Sequence, residues 1–244
     1  RLEKLIRRVT KAYDQYEFHV VFHSIHNFCT VDMSNIYFDV LKDTLYCSPA
    51  GAQDRRAAQT VLYEIINALV VMLTPVLAYT SEEIWQYLRN PADPESVQLL
   101  DWPVFRDEYL NVEIGDRMDK VLQVREVVTK ALEEARAAKT IGHSLGARVT
   151  IYANEDWLSV LNVTANLEKI FIVSKLELSA IDNKPLQTVS LENVDGIYVQ
   201  VNPAEGGKCE RCWTIDLSVG TDNSFPVLCD RCKSVIIELD KQEG

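Results

Sequence analysis

Apolar positions in the first half of the chain recur at three- and four-residue steps. Leu2, Leu5, Ile6, Val9, Tyr13, Tyr16 and Val20 share one face of a helix, and the pattern predicts a single long helix over residues 2–29. Thr30-Val31-Asp32-Met33 interrupts it, and Ser34 is placed to cap a second helix carrying Ile36, Val40, Leu41 and Leu45. Ser48-Pro49-Ala50-Gly51 breaks the chain before a third helix that runs to about Leu73. Val61, Leu62, Ile65, Ile66, Leu69, Val70 and Met72 close round that helix near its end, which predicts a central position, and Pro75 kinks or ends it. Thr80-Ser81-Glu82-Glu83 has the spacing of a capping box ahead of Ile84, Trp85 and Leu88. A connector with Pro91, Pro94 and Pro103 leads to a fifth helix, from about Asn111 to Lys139. Its apolar stripe is Ile114, Met118, Val121, Leu122, Val128, Leu132 and Ala135. Five helices with short to moderate connections predict an antiparallel bundle.

The pattern changes at Gly142. Arg148 to Tyr152 alternates as a strand, Trp157 to Val163 reads as a short amphipathic helix, and Ile170 to Leu178 and Gly196 to Val201 read as strands. Pro203 to Gly207 forms a hinge, and Val235 to Leu239 reads as a last strand. The expected fold is therefore mainly α: a helical bundle over residues 1–140, a small α+β domain over 141–204, and a cysteine-rich module over 205–244.

Cysteine spacing gives that module its chemistry. Cys209-Glu210-Arg211-Cys212 and Cys229-Asp230-Arg231-Cys232 are two C-x-x-C knuckles with sixteen residues between them, the spacing of a four-cysteine zinc site. Each tight turn aims two sulfurs at one ion. Four thiolates complete a tetrahedral shell and leave no position for a substrate water, so the predicted ion is one structural zinc. A redox pair would need only one knuckle, and disulfides would need a secreted chain, for which no signal-peptide pattern is present. Cys29 and Cys47 stand alone in apolar surroundings and are expected as small core residues.

Charge refines the picture. The 244 residues carry a net charge of −11, which argues against a general nucleic-acid binder. The distribution is uneven. Residues 1–11 carry Arg1, Lys4, Arg7, Arg8 and Lys11 against Glu3 alone, and residues 117–148 carry seven cations against four acids, whereas residues 150–206 carry three against eight. Basic stripes on an acidic body suit selective binding of a polyanion, although solvated helix faces produce the same pattern. No uninterrupted apolar run approaches about 18 residues, so no membrane-spanning helix is expected. Arg1 opens within a helical pattern, as expected for a piece of a longer protein.

Enzymatic signatures are absent. His19 and His23 have the spacing of a zincin pair, but Val20, Val21 and Phe22 fill the gap where the glutamate base belongs. With His26 they are expected as packed or hydrogen-bonded histidines. His143 beside Ser144 lacks both a third partner and a nucleophile elbow, and no P-loop or G-x-G-x-x-G occurs. A binding surface remains. Trp213 follows the first knuckle, Arg211 lies inside it, Arg231 lies inside the second, and Lys233 follows it. The ring can stack on an unpaired base and the cations can clamp phosphate, or Trp213 can pack over the metal as a minimal core.

Thr74-Pro75-Val76-Leu77-Ala78-Tyr79-Thr80-Ser81-Glu82-Glu83-Ile84-Trp85 resembles the anticodon-binding bundle of class I aminoacyl-tRNA synthetases with long aliphatic substrates. Tyr16-Glu17-Phe18-His19, Asp32-Met33-Ser34 and Asp39-Val40-Leu41-Lys42-Asp43-Thr44-Leu45-Tyr46 resemble further segments of it. With Cys209-Glu210-Arg211-Cys212-Trp213 and the second knuckle, the resemblance narrows to the tail of the bacterial-type isoleucyl-tRNA synthetases. It covers nearly the whole chain and is thin between Val149 and Val201. It implies a parent enzyme that joins isoleucine to its tRNA using ATP, with bundle and zinc module holding the anticodon arm. It also implies zinc on Cys209, Cys212, Cys229 and Cys232. The implied partners are the isoleucine tRNA and the catalytic and editing domains of the same parent chain, in a cytoplasmic monomer with no membrane contact. The H-I-G-H and K-M-S-K-S segments of the family are absent, so the chain is expected to bind without catalysing. Lys139 and Arg148 are candidate phosphate contacts, and Arg211, Trp213, Arg231 and Lys233 candidate contacts to bases or backbone. The alternative is a non-enzymatic zinc-ribbon and bundle module that docks a protein partner.

Overall fold

The computed structural model describes residues 1–243, with side chains described to Asp240. The chain divides into two compact units, residues 1–44 with 50–111, and residues 45–49 with 112 onward.

The first unit opens with α1 (Leu2–Asp14) and α2 (Phe18–Asn27), where one continuous helix was expected. Tyr16 adopts φ 57°, Glu17 N–H donates to Ala12 O at 2.8 Å and Tyr16 N–H to Tyr13 O at 3.0 Å. These two bonds are a Schellman ending, made here without the usual glycine. A π-helix over Phe28–Tyr37 then leads directly into α3 (Phe38–Cys47), so Ser34 lies inside a helix rather than capping one. α4 (Gln53–Leu73) and α5 (Ala78–Leu88) follow. The expected capping box does not form. α5 begins two residues before Thr80, and Glu82 instead accepts from Ser96 Oγ at 2.7 Å and Val97 N–H at 3.0 Å, tying the proline-rich connector to the helix.

The core of this unit is Leu5, Ile6, Val9 and Ala12 of α1, Val21 and Ile25 of α2, and Ile65, Ala68, Leu69 and Met72 of α4. A smaller cluster joins Val70 and Trp85 to Val97. α4 is long and apolar enough to cross a membrane by length and composition alone. Its inner face is nevertheless part of this core, and Asp54, Arg55, Arg56 and Glu64 ride on the same helix. The histidines expected as packed or hydrogen-bonded core groups lie on the surface instead. His19, His23 and His26 are exposed on α2, and the exposed Phe22 ring stacks on His26 and meets His23 edge-on.

In the second unit α6 (Val112–Ala137) is the long helix expected in the bundle, but it packs on a sheet. The sheet holds β1 (Ala147–Ala153), β2 (Lys175–Ala180), β3 (Val189–Leu191) and β4 (Val194–Pro203) in the order β2-β1-β4-β3. β1 runs parallel to β2 and antiparallel to β4, and β3 is antiparallel to β4. A parallel pair needs a crossover, which α7 (Glu155–Asn162) and α8 (Leu167–Phe171) supply. Asn154 caps α7, its side chain accepting from Trp157 N–H at 3.1 Å. The strand expected over residues 170–178 thus starts on the last two residues of α8 and becomes β2 only from Lys175. Val121, Val124, Val128, Ala131 and Leu132 of α6 share one core with Val149, Ile151, Ile197 and Val199. Amphipathicity placed the helix correctly and named the wrong partner.

Two short strands, β5 (Gly207–Lys208) and β6 (Ile215–Asp216), pair antiparallel around the first knuckle. The expected last strand is instead α9 (Asp230–Glu243), whose first turn carries Cys232.

Candidate metal centre and nucleic-acid interface

The four cysteines converge. Their sulfurs all lie within 4.8 Å of one another, and all four residues are buried. Zinc–sulfur bonds of about 2.3 Å in a tetrahedron set neighbouring sulfurs about 3.8 Å apart. Cys212 and Cys229 Sγ are 3.8 Å apart, so the cage fits a single zinc. Local structure dictates this convergence. The β5–β6 hairpin folds the first knuckle over, with Cys209 N–H donating to Thr214 O at 2.9 Å and Trp213 N–H to Cys209 O at 2.8 Å. Trp213 at φ 67° completes the turn. The second pair brackets the start of α9, with Cys229 just before it and Cys232 on its first turn, and Glu210 N–H donating to Val227 O at 3.0 Å holds the two halves together.

The electrostatics favour a bound dication. Burial pushes the Cys209 thiol up, but amide donors from Cys212, Cys229 and Arg211 outweigh it and bring the group to about 6. Burial raises the Cys229 and Cys232 thiols above their ordinary value. Buried thiolates are stable only beside positive charge, and a zinc ion supplies two units of it. Around the sulfurs, the apolar cluster of the described residues adds just Cys47, Val219 and Leu228. The donor set is therefore that of a structural zinc site. Cys47 is buried as expected, but its place in the wall of the metal site was not foreseen.

The candidate contact residues divide into two groups. Arg211 is occupied within its own unit. It donates to Cys47 O at 2.7 Å, reaches Tyr46 O at 3.5 Å, and lies 3.7 Å from Cys232 Sγ. It thus serves the last carbonyls of α3, where a cation is favoured. Lys233 bridges Asp230 at 3.0 Å and Asp222 at 3.2 Å. Arg148 pairs with Glu205 at 3.3 Å. From the expected 117–148 stripe, Arg125 and Lys130 donate to the backbone oxygens of Ile170 and Ser190.

Trp213, Arg231 and Lys139 form the second group and are exposed. Lys139 sits at φ 60° in a Schellman ending of α6, with Thr140 N–H donating to Ala135 O at 2.9 Å. Trp213 is 61% exposed, so it is no lid over the metal. Lys208 Nζ stands 5.5 Å from its ring centroid, a cation–π pair that sequence reasoning missed. The signal was a lysine directly before the knuckle and one aromatic directly after it.

A helical unit and a small sheet domain carrying a four-cysteine zinc site are thus combined in one chain. The family described as "Anticodon-binding domain of tRNA ligase" matches residues 1–151, and the chain belongs to it. "Zinc finger found in FPG and IleRS" matches residues 206–235, bracketing all four cysteines. Within the anticodon-binding family the chain aligns with the C-terminal region of the isoleucine–tRNA ligases. The ligase of Syntrophomonas wolfei subsp. wolfei is 64% identical over 239 residues, covering 98% of this chain and 26% of the relative. That of Moorella thermoacetica is 48% identical over 242 residues, and that of Desulforamulus reducens 47% over 239. The chain thus spans about a quarter of the length of the curated relatives it matches.

Proposed function

We propose that this chain holds the anticodon arm of the isoleucine tRNA, as the C-terminal region of a ligase that joins isoleucine to that tRNA using ATP. The observation that carries this reading is the match of residues 1–151 to the anticodon-binding family, in the same chain as the matched zinc finger. Phosphate contacts position an RNA, and unstacked bases are read by stacking and by their edges. At the zinc module Trp213 is the stacking group, held out by the knuckle turn, with Lys208 beside it. Lys139 supplies charge from an exposed position, and Arg231 from one near Asp216. Arg148, Arg211 and Lys233 make their main contacts inside the fold, so their part is to hold the module's shape. In this reading the catalytic and editing domains are covalent neighbours in the parent chain, which works as a cytoplasmic monomer.

The test is binding of an isoleucine tRNA transcript by the zinc-loaded chain and by Trp213→Ala. Losing one base–aromatic stack weakens binding by about tenfold, within the ~1–3 kcal/mol such a stack contributes, with zinc content unchanged. Equal affinity for both proteins would leave the zinc module a purely structural lock. No binding by the parent chain would sink the reading altogether.

A further inference from the structure

We infer that the first unit carries a second, separate contact for tRNA: a groove of about 440 Å³ between the basic face of α1 and Trp102–Phe105, which takes an unpaired nucleotide and its phosphate. The inference rests on the tRNA reading above and adds a site to it.

Lys4, Arg7, Arg8 and Lys11 recur at helical spacing on the side of α1 opposite Leu5, Val9 and Ala12, and all four are exposed. Among the described residues none of the four makes an ion pair. Uncompensated cations in a row suit a phosphate chain. Arg7 and Lys11 line the groove, and its far wall is apolar: Trp102, Val104 and Phe105. The Arg7 guanidinium already rests 4.2 Å from the Phe105 ring centroid, which leaves its outer face for a base to stack on. Trp102 is fixed in advance, donating Nε1–H to Thr10 Oγ1 at 2.7 Å and meeting Tyr13 edge-on at 5.3 Å. Little side-chain order remains to be lost on binding. Asp14 is the lone carboxylate on the rim. It can accept from the exocyclic amine of a base, a donor that an acidic side chain does not offer. Cations, a flat apolar wall and one acceptor together favour a nucleotide over a carboxylate-bearing protein segment.

The experiment measures binding of the zinc-loaded chain to an isoleucine tRNA transcript over a series of salt concentrations. The Arg7→Gln/Lys11→Gln variant removes both groove cations. Val104→Asp adds a negative charge at a position 75% exposed, where folding is not at stake. Lys184→Gln, an exposed site in the second unit, is the control. Two lost charge-assisted contacts predict about a hundredfold weaker binding for the double variant. They also predict a salt slope shallower by about 1.4–1.8. Val104→Asp weakens binding by about tenfold, on the scale of one phosphate contact, and the control binds as the parent does. If the parent binds while both groove variants keep their affinity within twofold and their slope, the groove is overturned and the tRNA reading stands. If the parent does not bind, both fall. Competition by polyglutamate as effective as by RNA of equal charge would assign the groove to an acidic protein segment and overturn the inference.

Discussion

Replacing Arg211 by alanine is the most informative perturbation of the zinc module. The side chain lies in a knuckle loop, where a cation invites an RNA role, yet its guanidinium is bonded to Cys47 O at 2.7 Å and reaches Tyr46 O at 3.5 Å. A hydrogen bond from a charged donor contributes about 1.5–3 kcal/mol. A cation at a helix C-terminus adds about 0.3–1 kcal/mol. Removing the group also strips positive charge from beside Cys232 Sγ, 3.7 Å away. Together these losses come to about 3 kcal/mol. In a chain of this size each kcal/mol moves the melting temperature by about 2–4 °C, so the Arg211→Ala protein should melt about 6–12 °C lower. Zinc release to a competing chelator should be faster as well. Arg211→Lys retains the charge but not the planar fork that reaches two carbonyls and a sulfur, and should fall between. Far-UV circular dichroism melts of zinc-loaded protein, with metal release followed optically, provide the readout. An alanine variant melting within about 1 °C of the parent and holding zinc equally well would refute the clamp.

Removing zinc should unfold the module around Cys209–Cys232, because metal ligation at about 10–16 kcal/mol outweighs a core of Val219, Leu228 and Cys47; near-UV dichroism that survives chelation would contradict this. Glu82 has a lowered pKa, chiefly from its hydrogen bond with Ser96. A depressed folded-state value stabilises fully above the ordinary 4.5 and is lost as pH falls through the lower value. The stability gap between parent and Glu82→Gln should therefore shrink as pH drops below 4.5, and a pH-independent gap in urea midpoints would oppose that linkage. Gly206 has φ +121°, and an added Cβ would sit 2.4 Å from the Asp216 backbone. Gly206→Ala should cost at least about 2 kcal/mol and loosen zinc, where an unchanged melt would show that the β5–β6 hairpin can shift.

The sequence made the metal site legible because ligand identity and spacing are nearly its whole specification: Cys209, Cys212, Cys229 and Cys232 need only two tight turns to meet. The helices were legible because their apolar faces repeat. What packs on those faces was not, since the stripe of Val121, Val128 and Leu132 reads the same against a helix or a sheet. A helix end was missed where the left-handed residue is Tyr16 rather than glycine. The last helix was missed because Val235, Ile236 and Ile237 favour strand by composition, and the cysteines override that preference by anchoring a helical first turn. The contact residues were the least legible. Arg211 bonds a carbonyl 164 positions away, and no local pattern announces such a partner.

The proposed grip on the anticodon arm is tested most directly at the anticodon itself. The direct measurement is a titration of the zinc-loaded chain, at one fixed salt concentration, with the isoleucine tRNA transcript and with the same transcript carrying a replaced anticodon. The account predicts clearly tighter binding of the first. Equal affinities, falling together as salt rises, would mean that the chain grips tRNA by its phosphates alone and that identity is read elsewhere.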